Sequence, residues 1–118
     1  MKPSFDQIKT FVPAKDFDYS RRFYAEIFDE RWLDQRHCGF QVGETEFLLQ
    51  DFYEPEFARN CTYQVQCKDL KEVFTFLAEI VARYEGASVR PPKQEPWGNV
   101  VYLFGPSGEL WQFTSAPS

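Results

Sequence analysis

The sequence holds few of the residues on which metal sites, disulfide frameworks and membrane spans depend. Its only histidine is His37, its three cysteines form no Cys-x-x-Cys pair, and methionine occurs once. An odd number of cysteines without such a pair is typical of reduced thiols in a cytoplasmic protein. No apolar stretch approaches the ~18 residues that cross a bilayer, and the chain shows no signal-peptide pattern. We therefore expect a cytoplasmic protein with no membrane partner.

Basic residues are also in deficit. The 13 lysines and arginines stand against 18 aspartates and glutamates, which gives a net charge of −5 and a pI near 4.9. Because a protein that holds a nucleic-acid backbone needs a basic patch, we expect no nucleic-acid partner. The negative charge mildly favours neutral or cationic ligands, although surface acid that only keeps a protein soluble would look the same.

Motifs of nucleotide binding and of nucleophilic catalysis are missing as well. The chain contains no Gly-rich phosphate loop and no GxSxG nucleophile elbow. His37 and Cys38 are neighbours in sequence, so in a strand their side chains point to opposite faces and form no dyad. We assign no catalytic residue, and general-base chemistry by one glutamate in an aromatic pocket stays open.

Aromatic residues, in contrast, are abundant. They make up 19% of the chain and include 13 phenylalanines, within a hydrophobic fraction of 43%. The length of 118 residues fits one domain that spans residues 1–118 and buries one real core. So many rings in a small domain either fill that core or line a cleft with flat surfaces.

The chain contains an internal repeat. Residues 12–28 (VPAKDFDYSRRFYAEIF) and residues 65–81 (VQCKDLKEVFTFLAEIV) are identical at seven of 17 positions. Each copy begins as a strand and continues into an amphipathic helix. Asp69 is the expected N-cap of the second helix, and either Asp16 or Asp18 caps the first.

Three strand candidates follow each helix, so each half is predicted to be a βαβββ unit. The candidates are residues 31–35, 38–42 and 46–52 in the first half and residues 87–90, 99–104 and 109–114 in the second. The repeats span about residues 5–53 and 61–115, with a linker between them. We expect an α+β fold in which eight strands form a curled mixed sheet around a cleft shared by both repeats.

Three stretches of the chain resemble the vicinal oxygen chelate superfamily, which includes glyoxalase I, extradiol dioxygenases and bleomycin-resistance proteins. They are residues 12–24 (VPAKDFDYSRRFY), 65–74 (VQCKDLKEVF) and 103–113 (LFGPSGELWQF). The last resembles the closing hairpin of the family, with Gly105 where aspartate is common. The likeness is closest to the bleomycin-resistance branch, which implies a homodimer with ligand pockets at the subunit interface.

Enzymes of that superfamily usually hold a divalent metal with one side chain from the first and last strand of each half. The resemblance places Lys9, Gln50, Thr62 and Gln112 at those positions. Divalent ions prefer imidazole, thiolate or carboxylate ligands, whereas an ammonium repels them and amides or hydroxyls bind them weakly. A slip of one or two residues would bring in Asp51, still without a histidine. We therefore expect no metal and no other cofactor.

The same comparison suggests ligand-binding residues. Trp97 matches a loop tryptophan that lines the drug groove in the bleomycin-resistance branch, and strand alternation adds neighbours on the same faces. Each aromatic candidate could instead pack the core or a dimer interface. The candidates are Lys9, Phe11, Gln50, Phe52, Thr62, Gln64, Trp97, Tyr102 and Gln112.

Three functions compete at this point. The first is a metal-free binding protein of the glyoxalase/bleomycin-resistance type, which sequesters a small aromatic ligand, cationic or neutral, and so confers antibiotic resistance. The second is a metal-dependent lyase, isomerase or dioxygenase of the same superfamily, which requires a different strand register. The third is an interaction module whose cleft is filled by its own side chains.

Overall fold

The computed structural model describes residues 1–115 and has the expected α+β fold of two βαβββ repeats. The elements, in chain order, are β1 (Thr10–Pro13), α1 (Phe17–Ala25), β2 (Asp29–Leu33), β3 (His37–Val42), β4 (Thr45–Gln50), α2 (Pro55–Asn60), β5 (Thr62–Gln66), α3 (Leu70–Val81), β6 (Ser88–Val89), β7 (Lys93–Glu95), β8 (Gly98–Phe104) and β9 (Leu110–Ser115). In each half a strand and a helix precede the antiparallel strands, as the repeat predicts.

The strands form two mixed sheets, one from each half. The first sheet has the order β1-β4-β3-β2, and the second has the order β5-β9-β8-β6 with β7 beside β8. In both sheets the first strand of the repeat pairs in parallel with its last strand, while the other pairs are antiparallel. The eight expected strands are thus divided between two sheets, with β7 as an addition. Within the described residues no ladder joins β1 to β5, so each is an edge strand.

Local capping fixes where the two longer helices begin. Asp16 accepts a hydrogen bond from the Tyr19 backbone N–H (3.1 Å), which decides between the two candidate caps of α1. Asp69 accepts from the N–H groups of Lys71 and Glu72 (3.1 Å each), so the predicted cap of α3 is confirmed. No helix in residues 1–115 is long and apolar enough to cross a membrane.

The predicted linker contains a short helix that the sequence reasoning missed. Helix α2 begins at Pro55, where the missing N–H costs nothing, and the Glu54 side chain accepts from the Glu56 N–H. It ends at Asn60, one residue before Cys61. With six residues it is too short to show an apolar periodicity.

The buried core draws on both repeats. Tyr24 of α1 is fully buried, and its ring lies 5.5 Å from the Trp111 ring of β9. Phe28 and Phe47, both from the first repeat, also contact Trp111, at centroid distances of 5.4 and 5.2 Å. Many of the aromatic side chains therefore pack between the two repeats and hold them together.

Each sheet has one face on this core and a second face, here called the open face, that is turned away from it. In β9 the side chains of Trp111 and Phe113 are buried in the core, whereas Gln112 lies on the open face. In β5 the half-buried Tyr63 alternates with the exposed Gln64 in the same way. This alternation decides which predicted site residues are available to a ligand.

Candidate functional site

A row of polar side chains crosses the open face of the second sheet. Gln64 of β5, Gln112 of β9 and Tyr102 of β8 are direct neighbours in the strand register. The Gln64 amide Nε2 donates a hydrogen bond to Gln112 Oε1 (3.2 Å), and Tyr102 Oη donates to Glu95 Oε1 (3.4 Å). The row offers further amide donors and acceptors beside a phenol ring, which is chemistry suited to orienting a small organic molecule.

Trp97 and Gln64 line one cavity of about 490 Å³ at the end of this face. The indole is 49% exposed, so a large part of its surface is free for stacking. Burial raises the pKa of the Cys67 thiol, which therefore stays protonated near neutral pH and is no nucleophile. The lining residues are Gln64, Gln66, Cys67, Lys68, Trp97, Thr114 and Ser115.

A larger cleft of about 780 Å³ runs between the β3–β4 hairpin and strand β5. Gln64 and Gln66 line this cleft as well as the Trp97 cavity, so the two spaces adjoin at these side chains. Its walls are mainly apolar, with several hydroxyl and amide groups. The lining residues are Ile8, Thr10, Val42, Gly43, Thr45, Glu46, Phe47, Cys61, Thr62, Tyr63, Gln64, Val65, Gln66 and Trp111.

The open face of the first sheet carries an indole that the sequence reasoning did not select. Phe11, Leu48, Gly39 and Trp32 form one row across all four strands. A Cβ atom placed on Gly39 would come within 2.3 Å of Trp32 Nε1, so the indole lies directly over the glycine. The signal was present in the sequence, because a glycine inside a strand often marks a close approach of another group.

The nine candidate residues fall into two groups. Thr62, Gln64, Trp97, Tyr102 and Gln112 belong to the second sheet or its adjoining loop. The structure brings Gln64 to Trp97 in the smaller cavity and to Thr62 in the larger cleft.

The other four candidates belong to the first sheet and line neither cavity. Lys9 precedes β1 and lies 3.9 Å from Glu46, as measured from Nζ to Oε1. Phe11 is half exposed, with its ring 6.0 Å from that of His37. Gln50 ends β4, and Phe52 lies beyond that strand with an exposed ring.

The residues at the implied metal positions do not fit a divalent ion. Across the parallel pairs the neighbour of Gln112 is Gln64, two residues beyond Thr62. The neighbour of Gln50 is Pro13, four residues beyond Lys9. Amides and a proline offer weaker ligands than imidazole, thiolate or carboxylate. In the described part of the chain no cluster of three or more His, Cys, Asp or Glu residues could hold a metal.

A buried carboxyl group ties the closing hairpin to helix α1. Tyr24 Oη donates to Glu109 Oε2 (2.6 Å), the Ser107 N–H donates to Oε1 (2.9 Å), and Trp111 Nε1 donates to Tyr24 Oη (2.8 Å). Burial raises the pKa of both Glu109 and Tyr24. A Cβ atom at Gly105 would lie 2.4 Å from Glu109 Cδ, so any side chain at this position would clash with the buried carboxyl group.

Two βαβββ repeats whose open sheet faces carry the polar and aromatic candidates define the class of this protein. The family model of the Glyoxalase/Bleomycin resistance protein/Dioxygenase superfamily matches residues 5–113. The chain belongs to this superfamily, which confirms the resemblance seen in the sequence. No curated protein sequence shows significant similarity to it.

Several solved structures share the fold. A bleomycin-binding protein from bleomycin-producing Streptomyces verticillus, complexed with copper(II)-bleomycin, is 17% identical with a TM-score of 0.79, and the match covers 98% of this chain and 99% of that one. TnmS3, an antibiotic binding protein from Streptomyces sp. CB03234, is 22% identical with a TM-score of 0.77 and 98% coverage of both chains. A lactoylglutathione lyase from Agrobacterium tumefaciens is 18% identical with a TM-score of 0.66, covering 96% of this chain and 95% of that one. The fold is thus common to binding proteins and to an enzyme. Whether this chain binds a ligand or catalyses a reaction therefore has to be argued from the residues of its site.

Proposed function

We propose that this chain is a metal-free binding protein that sequesters a small aromatic ligand carrying a positive charge. The observation that carries the proposal is the hydrogen bond from Gln64 to Gln112, beside a cavity walled by Trp97. Gln112 is one of the four positions at which the family resemblance implies a metal ligand. Amides orient a ligand without activating it, and an exposed indole adds stacking surface. The similar fold of two antibiotic-binding proteins supports the same reading.

The protein is further proposed to act as a cytoplasmic homodimer. Large apolar side chains at the start of the chain stay exposed in a single copy: Phe5 by 82%, Ile8 by 92% and Phe11 by 46%. Strands β1 and β5 are edge strands, whose unpaired backbone groups favour association. A second copy would cover these groups and bring the first-sheet candidates to a shared site, and the molar mass in solution tests this.

Binding is tested by calorimetric titration of the purified chain with bleomycin and with flat aromatic amines, read in parallel by tryptophan fluorescence. We expect saturable binding to at least one of them. Trp97→Leu should weaken that binding about threefold to tenfold, because an aromatic contact contributes about 0.5–1.5 kcal/mol beyond its buried area. Weaker binding by Trp97→Leu would therefore show that the ligand binds in the cavity beside Trp97 and not elsewhere on the protein.

Phe76→Leu is the matched control, since Phe76 is an aromatic residue of α3 that is 46% exposed and lines neither cavity. It should bind as the wild type does. Flat titrations with every compound would overturn the proposed binding function. Stoichiometric zinc, nickel, iron or manganese in the purified protein would instead favour the metal-dependent lyase, isomerase or dioxygenase.

A further inference from the structure

The polar row on the open face of the second sheet continues beyond Tyr102 to an arginine. The Arg90 backbone N–H donates a hydrogen bond to the Tyr102 carbonyl oxygen (3.0 Å), which extends the ladder between β6 and β8 by one residue. The preceding pair in that ladder, Val89 and Leu103, packs on the core. Because side chains alternate along a strand, the Arg90 side chain lies on the open face beside Tyr102.

An aromatic ring holds the Arg90 guanidinium on this face. The Cζ atom lies 5.6 Å from the centroid of the Phe104 ring, which is within the range of a cation–π interaction. Phe104 is two residues from Tyr102 in β8, so both rings belong to the open face. A guanidinium that is already seated on a ring loses less freedom when its N–H groups bind a ligand.

The open face of the second sheet has an excess of one positive charge. The charged side chains in register on it are Arg90, Lys93 and Glu95, and Lys93 Nζ pairs with Glu95 Oε1 at 3.1 Å. Among the described residues Arg90 forms no ion pair. This local excess contrasts with the net charge of −5 for the whole chain. An arginine that lacks a carboxylate partner within the protein is suited to bind one on a ligand.

A carboxylate matches this arrangement better than a phosphate does. The planar guanidinium binds a carboxylate through two parallel N–H···O bonds. A phosphate monoester carries close to two negative charges, whereas only the charge of Arg90 is uncompensated here. Since neighbouring strands are about 4.8 Å apart, a ligand that lies over Gln112 and Tyr102 extends to Arg90 within about 10 Å.

We infer that Arg90 is the anchor for a carboxylate on the ligand, with Phe104 as its positioning residue. The inference rests on the proposed binding function and narrows its ligand to aromatic molecules that carry a carboxylate as well as a positive charge. A neutral carboxamide of the same shape should therefore bind more weakly than the carboxylate.

Three compounds that share a naphthalene ring and an ammonium group test the inference: 2-(2-naphthyl)ethylamine, 3-(2-naphthyl)-L-alanine and the carboxamide of that amino acid. Each is titrated calorimetrically against the full chain at a pH of about 6, where α-amino groups are protonated. The amine has no group at the carboxyl position, so it tests the proposed binding function alone. The amino acid should bind about threefold to tenfold more tightly than its carboxamide, which lies between the effect of an exposed ion pair and that of a hydrogen bond to a charged group.

Two sets of variants assign this preference to the arginine and its ring. Arg90→Gln should abolish the preference and leave carboxamide binding within about twofold of the wild type, because an amide keeps hydrogen-bonding groups but has no charge. Phe104→Leu should reduce the preference by about twofold or more, and Phe104→Tyr should retain it, because either aromatic ring holds a guanidinium. A general loss of stability would weaken the amino acid and the carboxamide equally, so the ratio of their affinities reports on Arg90 itself.

Arg59→Gln is the matched control, since Arg59 is an exposed arginine of α2 that lies outside the second sheet and lines neither cavity. It removes the same charge and should leave the preference unchanged. Equal binding of the amino acid and the carboxamide to the wild type, a preference that survives Arg90→Gln, or an equal loss of preference in Arg59→Gln would each overturn the carboxylate anchor while the binding function stands. The anchor also falls if the amino acid fails to bind while the amine or bleomycin binds. If neither bleomycin nor any of the three compounds binds, the proposed binding function falls together with the anchor.

Discussion

Substitution of Gly105 by alanine tests the buried contact between the two repeats with a single methyl group. The new Cβ atom would lie 2.4 Å from Glu109 Cδ and 2.6 Å from Tyr24 Oη, where ordinary contacts begin near 3.4 Å. The carboxyl group must therefore retreat by about 1 Å, in a core that packs without spare volume. That movement stretches the 2.6 Å hydrogen bond from Tyr24 beyond bonding range.

The expected loss of stability combines two costs. Overpacking a core costs about 1–3 kcal/mol, and the loss of a hydrogen bond to a charged or buried acid costs about 1.5–3 kcal/mol. We therefore expect Gly105→Ala to lower the free energy of unfolding by about 3 kcal/mol. For a chain of this size that corresponds to a fall in Tm of about 12 °C, which circular dichroism and urea titration can both measure.

Glu109→Ala provides the background that isolates the steric contact. The shortened side chain removes the atom that the new methyl group would strike, although Tyr24 Oη stays near it. The loss in free energy of unfolding caused by Gly105→Ala should then be at least about 1 kcal/mol smaller in the Glu109→Ala protein than in the wild type. Equal costs in the two backgrounds would refute the argument, as would a wild-type Tm for Gly105→Ala alone.

Two further predictions concern the assembly and the same buried acid. The proposed homodimer should give a molar mass of twice 14.0 kDa by light scattering, and a monomer at all accessible concentrations would contradict it. Burial raises the pKa of Glu109 in the folded chain above the usual value of 4.5, which the unfolded chain keeps. At a pH between the usual and the raised pKa, the folded chain therefore holds a proton that the unfolded chain releases. Stability attributable to Glu109 should therefore be greatest below the usual carboxyl pKa and decline as pH rises toward the raised pKa. Urea titrations should show this decline relative to Glu109→Gln, and parallel pH profiles for the two proteins would contradict it.

Local signals explain most of what the sequence predicted about the fold. Asp16 and Asp69 each sit before an amphipathic run, and capping aspartates act on backbone groups only two or three residues away. Helix α2 and strand β7 are six and three residues long, which is too short for periodicity to register. Strand β7 forms only because its residues meet the start of β8, a contact that no local pattern reveals.

Side-chain alternation was sufficient to predict which of the candidate residues share a face of the sheet. Gln64 and Gln112 were both assigned to the ligand face, and the structure joins them by a hydrogen bond. Trp32 was missed because a glycine inside a strand shows that another group approaches it but not that this group is the Trp32 indole.

The implied metal positions on the first strands are displaced unequally, by four residues in the first half and by two in the second, and the spacing of the repeat explains the difference. The caps Asp16 and Asp69 are 53 residues apart, whereas Pro13 and Gln64, the cross-strand neighbours of Gln50 and Gln112, are 51 apart. The connection from the first strand to its helix is therefore two residues longer in the second half. An alignment anchored on the helices consequently shifts the first strands of the two halves by two residues relative to each other. Since side chains alternate with a period of two, such a slip keeps every residue on its face and changes only its neighbours. The face of the site could thus be predicted from this sequence, but its pairs could not.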